Sequence, residues 1–158
     1  MNWVKSLAAV IALLLLNNVA FSQSSYAQFG NLNHASVNVS SAWTKLATTA
    51  GAHTFTKASS TSTIEVYVNS RFKVGILSGA NGVQFQVRVD NNSPAFSNDG
   101  SILTSNTSTF LSMLAVFRNL PAGNHTTSIW AKTPAGTATS VTVDPGGWGG
   151  KIIVKETQ

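Results

Sequence analysis

Residues 110–132, Phe-Leu-Ser-Met-Leu-Ala-Val-Phe-Arg-Asn-Leu-Pro-Ala-Gly-Asn-His-Thr-Thr-Ser-Ile-Trp-Ala-Lys, are the stretch on which the reading of this chain turns. Two apolar runs flank a polar turn around Leu120 to Asn124, which predicts a β-hairpin. In a strand, successive side chains point to opposite faces. The first arm is apolar on both: Phe110, Leu114 and Val116 on one, Leu111, Met113, Ala115 and Phe117 on the other. A strand with two apolar faces needs cover on both sides. The return arm is conventional, with Thr127, Ile129 and Ala131 alternating against Thr126, Ser128 and Lys132, and only Trp130 breaking the polar set.

Working outward, Val83 to Asp90 alternates four apolar residues with Gln84, Gln86, Arg88 and Asp90, the pattern of a half-buried strand. Thr63 to Ser70 sets Ile64, Val66 and Val68 against Glu65, Tyr67 and Asn69. Shorter alternating runs occur at Val37 to Ala47, His53 to Lys57 and Thr139 to Val143, and Lys151 to Lys155 closes the chain. The loop Asp144-Pro145-Gly146-Gly147-Trp148-Gly149-Gly150 needs the conformational freedom of glycine. Helical periodicity is confined to the N-terminal segment, and turn signals recur every ~8–12 residues. These features predict an all-β protein, a single antiparallel β-sandwich of the jelly-roll kind with about eight to ten strands in sequential hairpins.

The N-terminus reads differently. Lys5 precedes an unbroken apolar run of ten residues, Leu7 to Leu16, followed by Asn17, Asn18 and small residues. A membrane-spanning helix needs about 20 apolar residues, so this is the pattern of a secretory signal peptide, cleaved after Ser22 or after Ala27. The expected organisation is a signal peptide over 1–22 or 1–27, a flexible N-terminal arm over 23–36 able to add an edge strand, and a β-sandwich domain over 37–158. The expected location is outside the cell or on its surface. The chain has no cysteine. Its 158 residues must therefore hold together by burial and strand pairing, without disulfide staples.

The net charge is +5, but charged residues are only 9% of the chain and the Lys and Arg residues are scattered singly. Nucleic-acid surfaces need clustered bases, so no nucleic-acid partner is expected. The three histidines, His34, His53 and His125, lie far apart and show no zinc-ligand spacing. Gly75-Ile76-Leu77-Ser78-Gly79 has its serine one place late for a nucleophile elbow. Five acids, Glu65, Asp90, Asp99, Asp144 and Glu156, leave little material for paired-carboxylate chemistry. The expectation is a non-catalytic protein with no cofactor and no metal. One metal-like feature is Asp90-Asn91-Asn92 with Asn98-Asp99-Gly100, whose oxygens could converge on calcium; turn formation by Asp and Asn explains the same residues.

Aromatic residues carry the remaining signal. Four glycines flank Trp148 and cannot shield it, so its ring either packs on a neighbouring sheet or stacks on a sugar. Trp148 and Trp130 are the candidate ligand contacts, with Trp43 as a third indole. Sequons for glycosylation begin at Asn38, Asn91, Asn106 and Asn124.

The segments Leu120-Pro121-Ala122-Gly123-Asn124-His125-Thr126-Thr127-Ser128-Ile129-Trp130 and Gly146-Gly147-Trp148-Gly149-Gly150-Lys151-Ile152-Ile153-Val154 resemble the last strands of C1q/TNF-like jelly-roll domains. In that family a Pro-x-Gly turn leads into an outer strand, and a glycine-rich loop precedes the final apolar strand. The resemblance covers the last third of the chain. It lacks the family's aromatics after the turn, where Gly123, His125 and Thr127 stand, and no Gly-X-Y stem precedes the domain. It implies a ten-stranded sandwich that associates as a homotrimer and acts as an extracellular binding or structural head.

The doubly apolar strand points to self-association without the resemblance, because one face fills the core and the other needs a cover. The candidate oligomer interface is Leu111, Met113, Ala115 and Phe117. The expected function is a secreted, self-associating structural or adhesive module, trimeric by the resemblance, whose partner is a second copy of itself or a surface glycan or protein. The alternative is a monomeric carbohydrate-binding module that uses exposed tryptophan.

Overall fold

The computed structural model describes residues 26–30, 32, 36–46, 53–75, 82–103, 106, 108–133, 139–147 and 149–158. The N-terminal segment expected to be a signal peptide and Trp148 lie outside them. The described residues form twelve strands: β1 (Tyr26–Gly30), β2 (Val37–Val39), β3 (Thr44–Leu46), β4 (His53–Lys57), β5 (Thr63–Val74), β6 (Val83–Val89), β7 (Phe96–Asn98), β8 (Gly100–Ile102), β9 (Ser108–Phe117), β10 (Gly123–Lys132), β11 (Thr139–Val143) and β12 (Lys151–Thr157). The stretch expected as an arm contributes β1, which pairs antiparallel with β12, and Leu32, which is fully buried.

The strands make an antiparallel β-sandwich of a seven-stranded and a five-stranded sheet. In the larger sheet the 12-residue β5 is the spine. One edge of β5 pairs with β12 through its first half and with β11 at its end, the other edge pairs with β9, and β9 carries β7. In the smaller sheet β10 holds the same position, with β6 on one edge, β3 and β4 on the other, and β8 beyond β6.

The expected sequential hairpins are not what forms. None of the described pairings joins strands consecutive in sequence, and from β4 to β11 every connection crosses from one sheet to the other. The stretch 110–132 is therefore an arch between sheets and not a hairpin. Its first arm pairs with β5 and β7, while its second pairs with β6, β4 and β3. The turn residues serve either geometry: Asn119 adopts φ 61° and Gly123 φ 132°, conformations that Asn and Gly tolerate. What decides is edge occupancy, since both edges of each arm are taken by strands other than its partner arm, β5 and β7 for the first and β6, β4 and β3 for the second.

The alternation read from the sequence holds within each strand. Ile64, Val66, Val68, Phe72 and Val74 of β5 point inward with Ser70, and Val83, Phe85, Val87 and Val89 of β6 face them from the other sheet. Phe72 and Phe85 make a tilted ring contact at 4.7 Å between the two layers. Several buried polar groups are bonded within the fold, as burial favours, while among the described residues His53 Nε2, the Thr127, Thr133 and Thr139 hydroxyls and Asp144 Oδ1 have no hydrogen-bond partner. Glu156 of β12 accepts from the backbone N–H of Ala58 at 2.9 Å and of Ser59 at 3.0 Å, and from the Ser62 hydroxyl. Buried Lys57 donates to the Ser59 carbonyl, so two charged side chains secure the β4–β5 loop from within. Asp144, also buried, accepts from the Gly150 N–H at 3.1 Å. A side chain at Gly150 would run into Ser70 and Asp144, which is why this approach to β12 takes glycine.

Candidate functional site

Two outward faces carry the candidate sites, one on each sheet. On the larger sheet, β9 turns Phe110, Ser112, Leu114 and Val116 outward. Cross-strand register sets Tyr67 beside Leu114, Ile153 beside Tyr67, and Phe96 of the edge strand β7 beside Val116. Phe110 is 64% exposed, Phe96 61% and Tyr67 40%. Beside Tyr67 lies a shallow groove of about 420 Å³ lined by Tyr67, Asn69, Asn98, Ser112, Leu114 and Ile153. Asn69 donates to the Ser112 hydroxyl at 3.2 Å. The Tyr67 hydroxyl donates to Glu65 at 2.9 Å, and this hydrogen bond, then burial and the Glu65 charge, raise its pKa.

The candidate interface residues do not lie on this face. Met113, Ala115 and Phe117 are 3%, 0% and 3% exposed and sit in the core, and Leu111 packs against that core. The apolar set that β9 leaves on the outer face is Phe110, Leu114 and Val116. Alternation separates the two sets but cannot say which points inward when both are apolar. The register with β5 decides it: Met113 stands opposite the buried Val68, whereas Leu114 stands opposite the exposed Tyr67.

On the smaller sheet, Trp130 of β10 lies outward between Lys45 of β3 and Gln86 of β6. The Arg88 guanidinium lies 4.5 Å from the Trp130 ring centroid and 5.1 Å from that of Trp43. The Lys132 ammonium lies 4.7 Å from the Trp43 ring. Trp130 Nε1 donates to the Ser128 hydroxyl at 2.9 Å, which sets the ring. Arg88 Nε donates to Gln86 Oε1 at 2.9 Å, and Gln86 in turn donates to Asp99 at 3.3 Å. Burial lowers the Arg88 pKa and the Asp99 charge opposes that. The candidate contact Trp130 thus joins Trp43, Arg88 and Lys132 in one cluster. Trp148 lies outside the described residues.

Arg88 is the member that strand-by-strand reading missed. It belongs to the polar set of β6, and only the pairing of β6 with β10 brings it to the indoles.

The acids of the calcium-like loop are occupied within the fold. Asp90 accepts from His125 Nδ1 at 2.6 Å and from the Thr126 N–H at 2.9 Å, while Asp99 accepts from Gln86. Asp90 and Asn91 take φ of 49° and 65°, and Val89 and Asn92 bond to each other across them, a tight turn of the kind Asp and Asn favour. His125 also donates through Nε2 to the Pro121 carbonyl at 2.9 Å. His53 is buried against Phe29, with ring centroids 5.2 Å apart, and burial lowers its pKa. Among the described residues no group of three or more His, Cys, Asp or Glu could hold a metal ion. No helix there is long and apolar enough to cross a membrane. Asn38, Asn91, Asn106 and Asn124 of the four sequons are all exposed. No protein-family model matches the chain, and no curated protein matches its sequence.

Proposed function

We propose that this chain is an exported, non-catalytic β-sandwich that assembles with copies of itself and serves as an extracellular structural or adhesive module. One observation carries the reading. Phe96, Phe110 and Tyr67 stand exposed around Leu114, Val116 and Ile153 on a single sheet face. The largest apolar patch of a typical monomer covers about 300–600 Å² and often marks an interaction site. A second copy is a fitting cover, because one self-complementary or cyclic contact buries the patch on every subunit. Glu65 and Lys155 sit side by side in register at the rim, where opposite charges help to set orientation.

A trimer is the assembly that the C1q/TNF-like resemblance implies. Export follows from the Leu7 to Leu16 run, and cleavage after Ser22 leaves β1 whole, whereas cleavage after Ala27 removes two of its five residues. Sedimentation equilibrium of the chain beginning at Gln23 tests the assembly. We expect a discrete oligomer at micromolar concentration, reduced to monomers by Leu114→Asp with the fold intact. A monomer at that concentration in the unchanged protein rejects the reading.

A further inference from the structure

The outer face of the smaller sheet points away from the proposed seam and carries a cluster that assembly leaves unexplained. We propose that Trp43, Trp130, Arg88 and Lys132 form a binding platform for an acidic polysaccharide, one built of uronic-acid pyranoses.

The argument rests on chemistry and geometry. Arg88 lies over both indoles and Lys132 over Trp43, so a pyranose would meet this cation–aromatic stack with its C–H groups on the parts of the half-buried rings that the cations leave open. The guanidinium is a planar fork that matches a carboxylate in bidentate fashion. Arg88 is bonded through Nε to Gln86, and among the described residues its Nη groups have no hydrogen-bond partner. Its position is set in advance: Gln86 is held by Asp99, and the Trp130 ring is held by Ser128. A site organised before the ligand arrives loses less entropy on binding. Lys132 over Trp43 supplies a second cation a short way along the sheet, and Gln84, its cross-strand neighbour, adds an amide for sugar hydroxyls.

The charge pattern separates a polyuronate from its competitors. A neutral glycan can accept hydrogen bonds from the guanidinium but leaves its charge without a counter-charge, whereas a uronate matches both. A nucleic acid would call for a longer row of cations along its phosphates, whereas this face intersperses few cations with amides and the acid Asp99. Because the seam and the platform lie on opposite sheets, an assembled protein would present several platforms at once and gain avidity on a polymer.

The test is titration of the protein beginning at Gln23 with hexagalacturonate, followed by tryptophan fluorescence and calorimetry. The same titration with the fully methyl-esterified hexamer keeps the pyranose faces and removes the charge. We expect binding to the acid form, at least tenfold weaker binding to the ester, and a loss of about ten- to a hundredfold in Arg88→Gln, the range for a charge-assisted hydrogen bond. Trp43→Ala and Lys132→Gln, at half-buried positions, should each weaken binding, and they decide the matter should Arg88→Gln melt early. Equal affinity for acid and ester, unchanged affinity in Lys132→Gln and Trp43→Ala, or no binding of the hexamer at all overturns the proposal. So does tighter binding of a thymidine decamer than of the uronate.

Discussion

Phe72 and Phe85, one from each sheet and both fully buried, meet with ring centroids 4.7 Å apart and planes tilted by 53°. Aromatic pairs in such offset geometry contribute beyond their buried area. Phe85→Ala should therefore cost about 3–5 kcal/mol, a large part of what a small domain has to lose. Gln84→Ala, next along β6 and exposed, should change stability by no more than about 0.5 kcal/mol. Denaturant melts of the two variants check the register; equal costs contradict it.

The Asp90–His125 pair gives a pH signature at the acid end. Burial pushes the Asp90 carboxyl up, but the His125 hydrogen bond, the Thr126 N–H and the His125 charge together outweigh it and hold the carboxyl below its ordinary value. A depressed folded value means that the stabilisation is complete above the unfolded carboxyl pKa of about 3.9 and is lost as pH falls through the lower folded one. The Asp90 side chain is 38% exposed, so solvent screens the pair and the effect is modest. Asp90→Asn tolerates the same φ and removes the charge. Its stability deficit against the unchanged protein should be greatest near neutrality and shrink below pH ~4, as read by urea midpoints. A deficit that stays constant with pH would show that charge plays no part.

A second window belongs to His53. Burial lowers its pKa, so the unfolded chain takes up a proton first. The contribution is present above the unfolded value of about 6.5 and is lost as pH falls from there through the folded value. His53→Leu keeps an apolar neighbour for Phe29 and removes the titration. Between pH ~7 and ~5 the unchanged protein should lose more stability than the variant, which thermal melts at several pH values will measure. Parallel curves would assign the window to another group.

Met113 and Leu114 are adjacent on β9 and face opposite ways. Met113→Asp places a charge in the core beside Val68 and should unfold the domain, because an unpaired buried charge costs several kcal/mol. Leu114→Asp lies on the outer face and should leave the domain folded while lowering the sedimenting mass, with a melting temperature reduced only by the stabilisation that assembly supplies. The reverse pattern would return the seam to Leu111, Met113, Ala115 and Phe117.

Much of the buried polar structure has no counterpart in single-strand patterns. Glu156 continues the alternation of β12 inward, yet nothing near it in sequence announces that its acceptors' donors are Ala58, Ser59 and Ser62, about a hundred residues away. Lys57 likewise alternates inward with His53 and Phe55, and its burial is tolerable because the Ser59 carbonyl is there to receive it. Each is a half of a contact whose other half is distant.

The amino-acid order by itself determined the all-β class, the inward Ile64, Val66 and Val68 of β5, the inward set of β6, and the placement of Phe85 in the core, because alternation is a local property with a period of two residues. It also marked β9 as a strand with two apolar faces. Only the tertiary structure decided that residues 110–132 arch between sheets, that Phe110, Leu114 and Val116 are the set left outside, and that Arg88 meets Trp43 and Trp130. The reason is physical: which strand takes a given edge depends on the hydrogen bonds and burial available from strands far away in the chain. A turn of Asn, Pro and Gly permits a hairpin and a crossing equally well, and the distant edges choose between them.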